Sequence, residues 1–392
     1  MTDRAALRQR AAALLPTMIE WRRAFHRWPE LGFKEVKTAA RVADILRTFG
    51  VEVTTGVAKT GVVGLLRGSA PGPTIALRAD MDALPIQEAT GLPFASENAG
   101  VMHACGHDGH MAALLGACAL LAERRSAWRG AVKLIFQPAE EMLGGARVMC
   151  DEGVLENPDV AAIFGIHLWP WLAKGKVALI EGPAMAAFDE FEIEVLGRSS
   201  HGASPHKGVD AIVAAARVID ALQHVVAREI DPQDPAVITV GRIEGGTATN
   251  IVAERVRLAG GVRTFDPQVR ADLPGRMERI VAGVAAAHGA EYRLKWVEGY
   301  PALVNHPAAV RHFEAAAQAL GAPEVERNMR PSMASEDFAY YVQRVPGAYA
   351  FVGVGEEGTP GLHTPEYTFN EEVLADAAAL LAAVALEALE KV

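Results

Sequence analysis

Apolar positions in the first part of the chain fall into short unbroken runs separated by stretches of helical period. Thr74–Asp80 (TIALRAD), Ala131–Gln137 (AVKLIFQ) and Val160–Ile166 (VAAIFGI) have the texture of strands buried on both faces, and Gly109–Arg125 between the first two predicts a helix. Buried strands alternating with helices define an α/β layered sheet that is at least partly parallel. Ligands in such sheets collect at the carboxyl ends of the strands. Here those ends carry Asp80-Met-Asp82, Pro138-Ala-Glu140-Glu141 and His167.

The middle of the chain changes pattern. Phe188–Leu196 alternates polar and apolar residues. A helix follows from about Val209 to Arg228, then strands Ala236–Ile243 and Ile251–Thr264, helix Pro267–Ala287 and strand Glu291–Glu298. This β-α-β-β-α-β order predicts an open-faced sandwich of four antiparallel strands with two helices on one face. Helix Ala308–Leu320, strand Ala348–Gly353 and helix Glu371–Glu390 then resume the first texture. The expected organisation is a discontinuous first domain, residues 1–183 and 300–392, interrupted by a second at 184–299.

Composition narrows the possibilities. The 392 residues are 50% hydrophobic and 22% charged, which is globular rather than disordered. Lys and Arg number 38 against 48 Asp and Glu, a net charge of −10 that argues against nucleic acid and anionic membranes as partners. The N-terminal MTDRAALRQRAAALLPTMIEWRRAF reads as an amphipathic helix without the apolar core of a signal peptide, and no run is long enough to span a membrane. Three cysteines (Cys105, Cys118, Cys150) make no disulfide framework and point to a reducing compartment or to metal chemistry. A cytoplasmic protein is expected.

The densest chemistry is Met102-His-Ala-Cys105-Gly-His107-Asp108-Gly-His110, which sets three histidines and a cysteine before a helix. Thiolate, imidazole and carboxylate are the ligand set of zinc and similar divalent metals. Adjacent Glu140 and Glu141 point different ways, so one can hold a metal while the other faces substrate or water. His167 closes a buried strand, His363 sits in a loop after another, and either Asp80 or Asp82 can orient a ligand histidine. In the middle segment His201, His206, Asn250 and Arg263 accompany glycine-rich turns. His201 and Asn250 suit an oxyanion or carbonyl, and Arg263 suits a carboxylate.

These motifs resemble the M20 metallopeptidase family, most closely its amidohydrolase branch of hippurate hydrolases, N-acyl-amino-acid amidohydrolases and hydrolases of indole-acetyl amino acids. The resemblance rests on Phe25–Gly32, Arg78–Pro85, Met102–His110, Gln137–Glu141, Gly165–Trp169, His201–His206, Ala334–Phe338 and Leu362–Glu366. It implies a zinc-peptidase-type α/β domain with an inserted α+β lid or dimerisation domain. Two divalent ions (Zn, Mn, Co or Ni) would lie on Cys105, His107, Glu141, His167 and His363, with Cys105 the ligand they share. It further implies Glu140 as general base and Asp82 as the aspartate that steadies a ligand. His201 would reach the active site of a neighbouring subunit in a homodimer or dimer-based tetramer, with Asn250, Arg263 and His206 touching substrate. The implied reaction is hydrolysis of N-acyl amino acids, with carboxypeptidase or dipeptidase action on short peptides as the alternative.

Overall fold

The computed structural model describes residues 4–141, 144–321 and 323–391. The chain divides into two compact units. One holds the described residues up to Ala184, Val304–Pro331 and those from Glu336 on; the other holds Met185–Leu303 and Ser332–Ser335.

The first unit opens with helices α1 (Arg4–Arg27) and α2 (Val36–Thr48) and the hairpin of β1 (Glu52–Val57) and β2 (Gly61–Arg67). Then come β3 (Thr74–Asp80), α3 (His107–Glu123), β4 (Ala131–Gln137), α4 (Gly145–Asp151), β5 (Val160–Ala173) and β6 (Lys176–Ala178). Helix α4 begins at Gly145, and residues 142–143 lie outside the described part.

In the inserted unit are β7 (Ala187–Leu196), α5 (Ala211–His224), β8 (Ala236–Gly245), β9 (Arg255–Thr264), α6 (Pro267–His288) and β10 (Glu291–Tyr300). Its sheet runs β8-β9-β7-β10, antiparallel throughout. Alternate apolar residues such as Phe191, Ile193, Val195, Val256 and Leu258 face a core shared with α5 and α6. Asp210 and Asp266 each accept two backbone amides at the start of these helices, which is why α5 starts at Ala211 rather than Val209. Beyond His224 the chain makes a π turn, Val225–Glu229, where a continuous helix was expected. The single strand expected over Ile251–Thr264 is two: Ile251–Val252 pairs with Ser200–His201, and β9 starts at Arg255. Ser332–Ser335 joins this unit because Ala186 N–H donates to Ser332 O and Ala334 O and Met185 bridges Ser332.

Back in the first unit lie α7 (Pro307–Leu320), β11 (Glu324–Glu326), β12 (Gly347–Gly355) and α8 (Val373–Lys391). Its eight-stranded sheet runs β1-β2-β4-β3-β5-β12-β6-β11. The central neighbours β4, β3, β5 and β12 are parallel, and β2 joins antiparallel. Helices α3 and α8 are buried almost all round, as their unbroken Ala and Leu content requires. They pack against the central strands, and α1 packs on both of them.

His167 corrects one expectation. It does not close its strand: β5 continues to Ala173, held by pairing with β12. The pairing of β3 with β5, however, is last seen at Arg78 opposite Gly165, so His167 lies past the ladder that β3 supplies. Its side chain is thereby delivered to the carboxyl edge of the parallel strands.

Candidate metal centre

The centre is assembled from the loop ahead of α3, the turn after β4, the middle of β5 and the loop after β12. Gly106 (φ +88°) precedes α3 in the left-handed region, and the helix starts at His107, so His107 and His110 stand one turn apart. These two histidines have different fates. His110 Nδ1 faces Asp80 Oδ1 at 2.7 Å while its Nε2 accepts the Leu168 amide at 3.0 Å, so both ring nitrogens are spent. His107 Nδ1 donates to the Asp82 carbonyl at 2.8 Å, which directs Nε2 inward. His167 is held the same way: Nδ1 donates to Leu168 O at 2.8 Å, and Nε2 faces Cys105 Sγ at 3.6 Å.

After β4 the chain turns at Ala139, whose φ is +55°. The amides of Glu140 and Glu141 then fall on the two oxygens of Asp82, both at 3.0 Å. The turn folds back so tightly that a Cβ at Gly145 would sit 1.7 Å from Pro138 O. The two glutamates diverge. Glu141 lies 3.3 Å from His363 Nε2 and 3.8 Å from His107 Nε2, whereas Glu140, although within 4.8 Å of His107 and Glu141, also groups with Glu336 and Asp337. His363 is the most exposed member of the set and is itself left-handed (φ +62°), its amide bonded to Ala104 O.

The donor atoms of Cys105, His107 and His167 lie within 4.8 Å of one another, as do those of Cys105, Glu141 and His363, so the thiol belongs to both groups. A metal is expected by the chemistry of this set. His107 Nε2 and Glu141 Oε1 are buried with no hydrogen-bond partner, 3.8 Å apart. Two donors on one tetrahedral ion stand about 3.4 Å apart. Burial alone would lower the His107 pKa, but Asp80, Asp82 and Glu141 push it up to about 10. Burial drives the Cys105 thiol well up, and Glu141, Glu140 and Asp80 add to it. Burial likewise raises Glu140, helped by Glu336, Glu141, Asp337 and Asp82. Such a gathering of acidic groups in a dry pocket suits divalent cations.

One feature of the site was not visible in the sequence. Arg78, fully buried on β3, donates to Gln137, Asp80, Tyr349, Glu336 and Asp337. It ties the strand that bears Asp80 to the carboxylates around Glu140. The one local signal was a charge inside an otherwise buried strand.

The remaining site residues lie in the inserted unit. His201 is exposed, pairs with Ile251, and accepts the Ala203 amide on Nδ1 at 3.0 Å. Asn250 joins it through its carbonyl, which accepts the Gly202 amide. His206 is exposed in the turn Pro205–Lys207. Arg263 is half-buried on β9, stacked over Phe188 with Nη1 donating to Met333 O at 2.7 Å. Among the described residues no hydrogen bond or ring contact joins Arg263 to the other three.

With fold and centre in view, known proteins give the class. Residues 76–387 match the model of peptidase family M20/M25/M40, and the chain belongs to that family. It is 46% identical over 290 residues to an N-acyl-L-amino acid amidohydrolase of Geobacillus stearothermophilus, covering 74% of this chain and 78% of the relative. It is 42% identical over 370 residues to the hippurate hydrolase of Campylobacter jejuni, covering 94% and 96%. A solved structure from Bacillus subtilis, described as a dinuclear metal-binding peptidase of the M20 family, superposes with a TM-score of 0.85 at 38% identity, covering 97% of this chain and 99% of that one. Within its family this chain is an amidohydrolase-branch hydrolase.

Proposed function

We propose that the protein hydrolyses the amide bond of N-acyl amino acids, giving a carboxylic acid and a free amino acid. The observation that carries the reading is the convergence of Cys105, His107, Glu141, His167 and His363 beside a buried Glu140. Those five side chains would hold two divalent ions, Cys105 serving both, and the ions would polarise the scissile carbonyl and acidify the attacking water. Glu140 takes the proton from that water and passes it to the leaving nitrogen. Burial, and then its acid neighbours, raise its proton affinity, which suits it to carry that proton between the two steps. Asp82 fixes both glutamate amides and, through its carbonyl, the His107 ring.

His201, in this reading, donates to the substrate oxyanion. The Ala203 amide occupies Nδ1, so the neutral ring carries its proton on the exposed Nε2. Arg263, with Asn250 and His206, binds the amino-acid portion. The inserted unit makes a homodimer, and His201 acts on the partner's centre. Free edge strands β8 and β10, with Val237 and Ile243 exposed on β8, support an interface there. Among the described residues no helix is long and apolar enough to cross a membrane, and the three cysteines are unpaired and buried, which suits a reducing compartment such as the cytoplasm. A panel of N-acetyl, N-benzoyl and indole-acetyl amino acids beside dipeptides, assayed with added Zn, Mn, Co or Ni, tests the reading. Turnover of the N-acyl amino acids supports it; turnover of dipeptides alone would replace it with dipeptidase action.

A further inference from the structure

Glu35 precedes Ala139 by 104 residues in sequence and is fully buried. It occupies the residue before α2, yet its side chain does not cap that helix. The carboxylate instead reaches across the unit. Oε1 accepts the Ala139 amide at 2.9 Å, and Oε2 accepts the Thr60 hydroxyl at 2.6 Å. Ala139 is the left-handed residue of the turn after β4, and its carbonyl accepts the Gly145 amide. Three successive amides, those of Ala139, Glu140 and Glu141, are therefore held by two buried carboxylates, Glu35 and Asp82.

Alanine disfavours the left-handed region because its Cβ crowds the carbonyl oxygen. Left to itself, residue 139 would relax to negative φ. The amides that follow would then turn away from Asp82, carrying Glu140 and Glu141 with them. The amide of a buried left-handed residue also needs a partner, and Glu35 is that partner. We infer that Glu35 is a positioning residue: it holds Ala139 left-handed so that Glu140 and Glu141 take their places beside His107, Glu140 also reaching Glu336 and Asp337 and Glu141 reaching Cys105 and His363. The inference rests on the roles proposed above for the two glutamates.

The test compares Glu35→Gln, Glu35→Asp, Ala139→Gly and the double variant E35D/A139G. Each is assayed for kcat and KM on an N-acetyl amino acid and for zinc affinity by competition with a chromophoric chelator. Glutamine keeps the length and an acceptor, so E35Q stays within about threefold of the parent. Aspartate is one methylene short. E35D loses about tenfold or more in kcat with KM little changed, and its zinc affinity falls about tenfold. Glycine adopts the left-handed region freely, so A139G alone is near normal and E35D/A139G regains most of both losses. A role confined to filling the interior would not be rescued by a change at residue 139. The proposal is overturned if E35D matches the parent, or if the double variant is as slow as E35D or stays unfolded. If the parent hydrolyses no N-acyl amino acid, the proposed function fails, while zinc affinity still reports whether Glu35 sets the turn.

Discussion

Cys105 Sγ and His167 Nε2 face each other at 3.6 Å, with the imidazole already neutral because burial, and then His110, lower its pKa well below the usual value. The thiol is the opposite case, kept protonated by burial and by three carboxylates, and His107 holds its proton to about pH 10. Ligation needs a thiolate and a free imidazole nitrogen. Zinc loading of the chelator-stripped chain near pH 7.5 should therefore release at least about two protons, from Cys105 and His107, and none from His167. Calorimetry in buffers of different ionisation enthalpy counts them. A release near zero would mean that these groups do not bind the metal.

The adjacent glutamates should separate cleanly by mutation. Glu140→Gln is expected to leave metal content near normal and to reduce kcat by about 10²-fold or more, the usual scale for a lost proton-transfer group. Glu141→Gln should instead weaken metal binding, since Glu141 is the carboxylate beside His107 and His363. Metal analysis and turnover measured on the same samples distinguish the two, and the reverse pattern would exchange their roles.

Much of this was legible along the chain. The buried strands, α3 and the β-α-β-β-α-β segment followed from periodicity, because each element buries a regular set of its own residues. The break after Val252 did not, since apolar residues recur across it and only pairing with Ser200–His201 separates the pieces. The metal-capable residues stood out by type, but only the family resemblance chose His107 over His110: the physical reason lies in Asp80 and the Leu168 amide, partners brought by the fold. The partners of Arg78 and Glu35 were hidden for the same reason, lying up to 271 residues away.

Away from the centre, His26 gives a pH-dependent contribution to stability. Burial lowers its pKa, but hydrogen bonds to Asp108 (2.9 Å) and Glu88 (3.2 Å) outweigh burial and raise it above 6.5. The fold thus favours the protonated ring. Its stabilisation is complete below about pH 6.5 and is lost as pH rises through the raised value. Chemical denaturation at about pH 6 and about pH 9 should show a larger loss on alkalinisation for the parent than for His26→Gln. Equal losses would remove His26 from the account.

Action of His201 across a dimer predicts complementation. Inactive Glu140→Gln chains mixed with inactive His201→Ala chains, and allowed to exchange, should regain activity, because one site of each heterodimer then has both native groups. No recovery after verified exchange would confine His201 to its own subunit.

The most direct test of the central claim is a metal titration of the chelator-stripped protein, following hydrolysis of an N-acyl amino acid as zinc or manganese is added. The account predicts negligible activity without metal and a rise that levels off at about two equivalents per chain, both ions being needed for the chemistry assigned to the centre. Full activity in the chelator, with no metal bound, would contradict it.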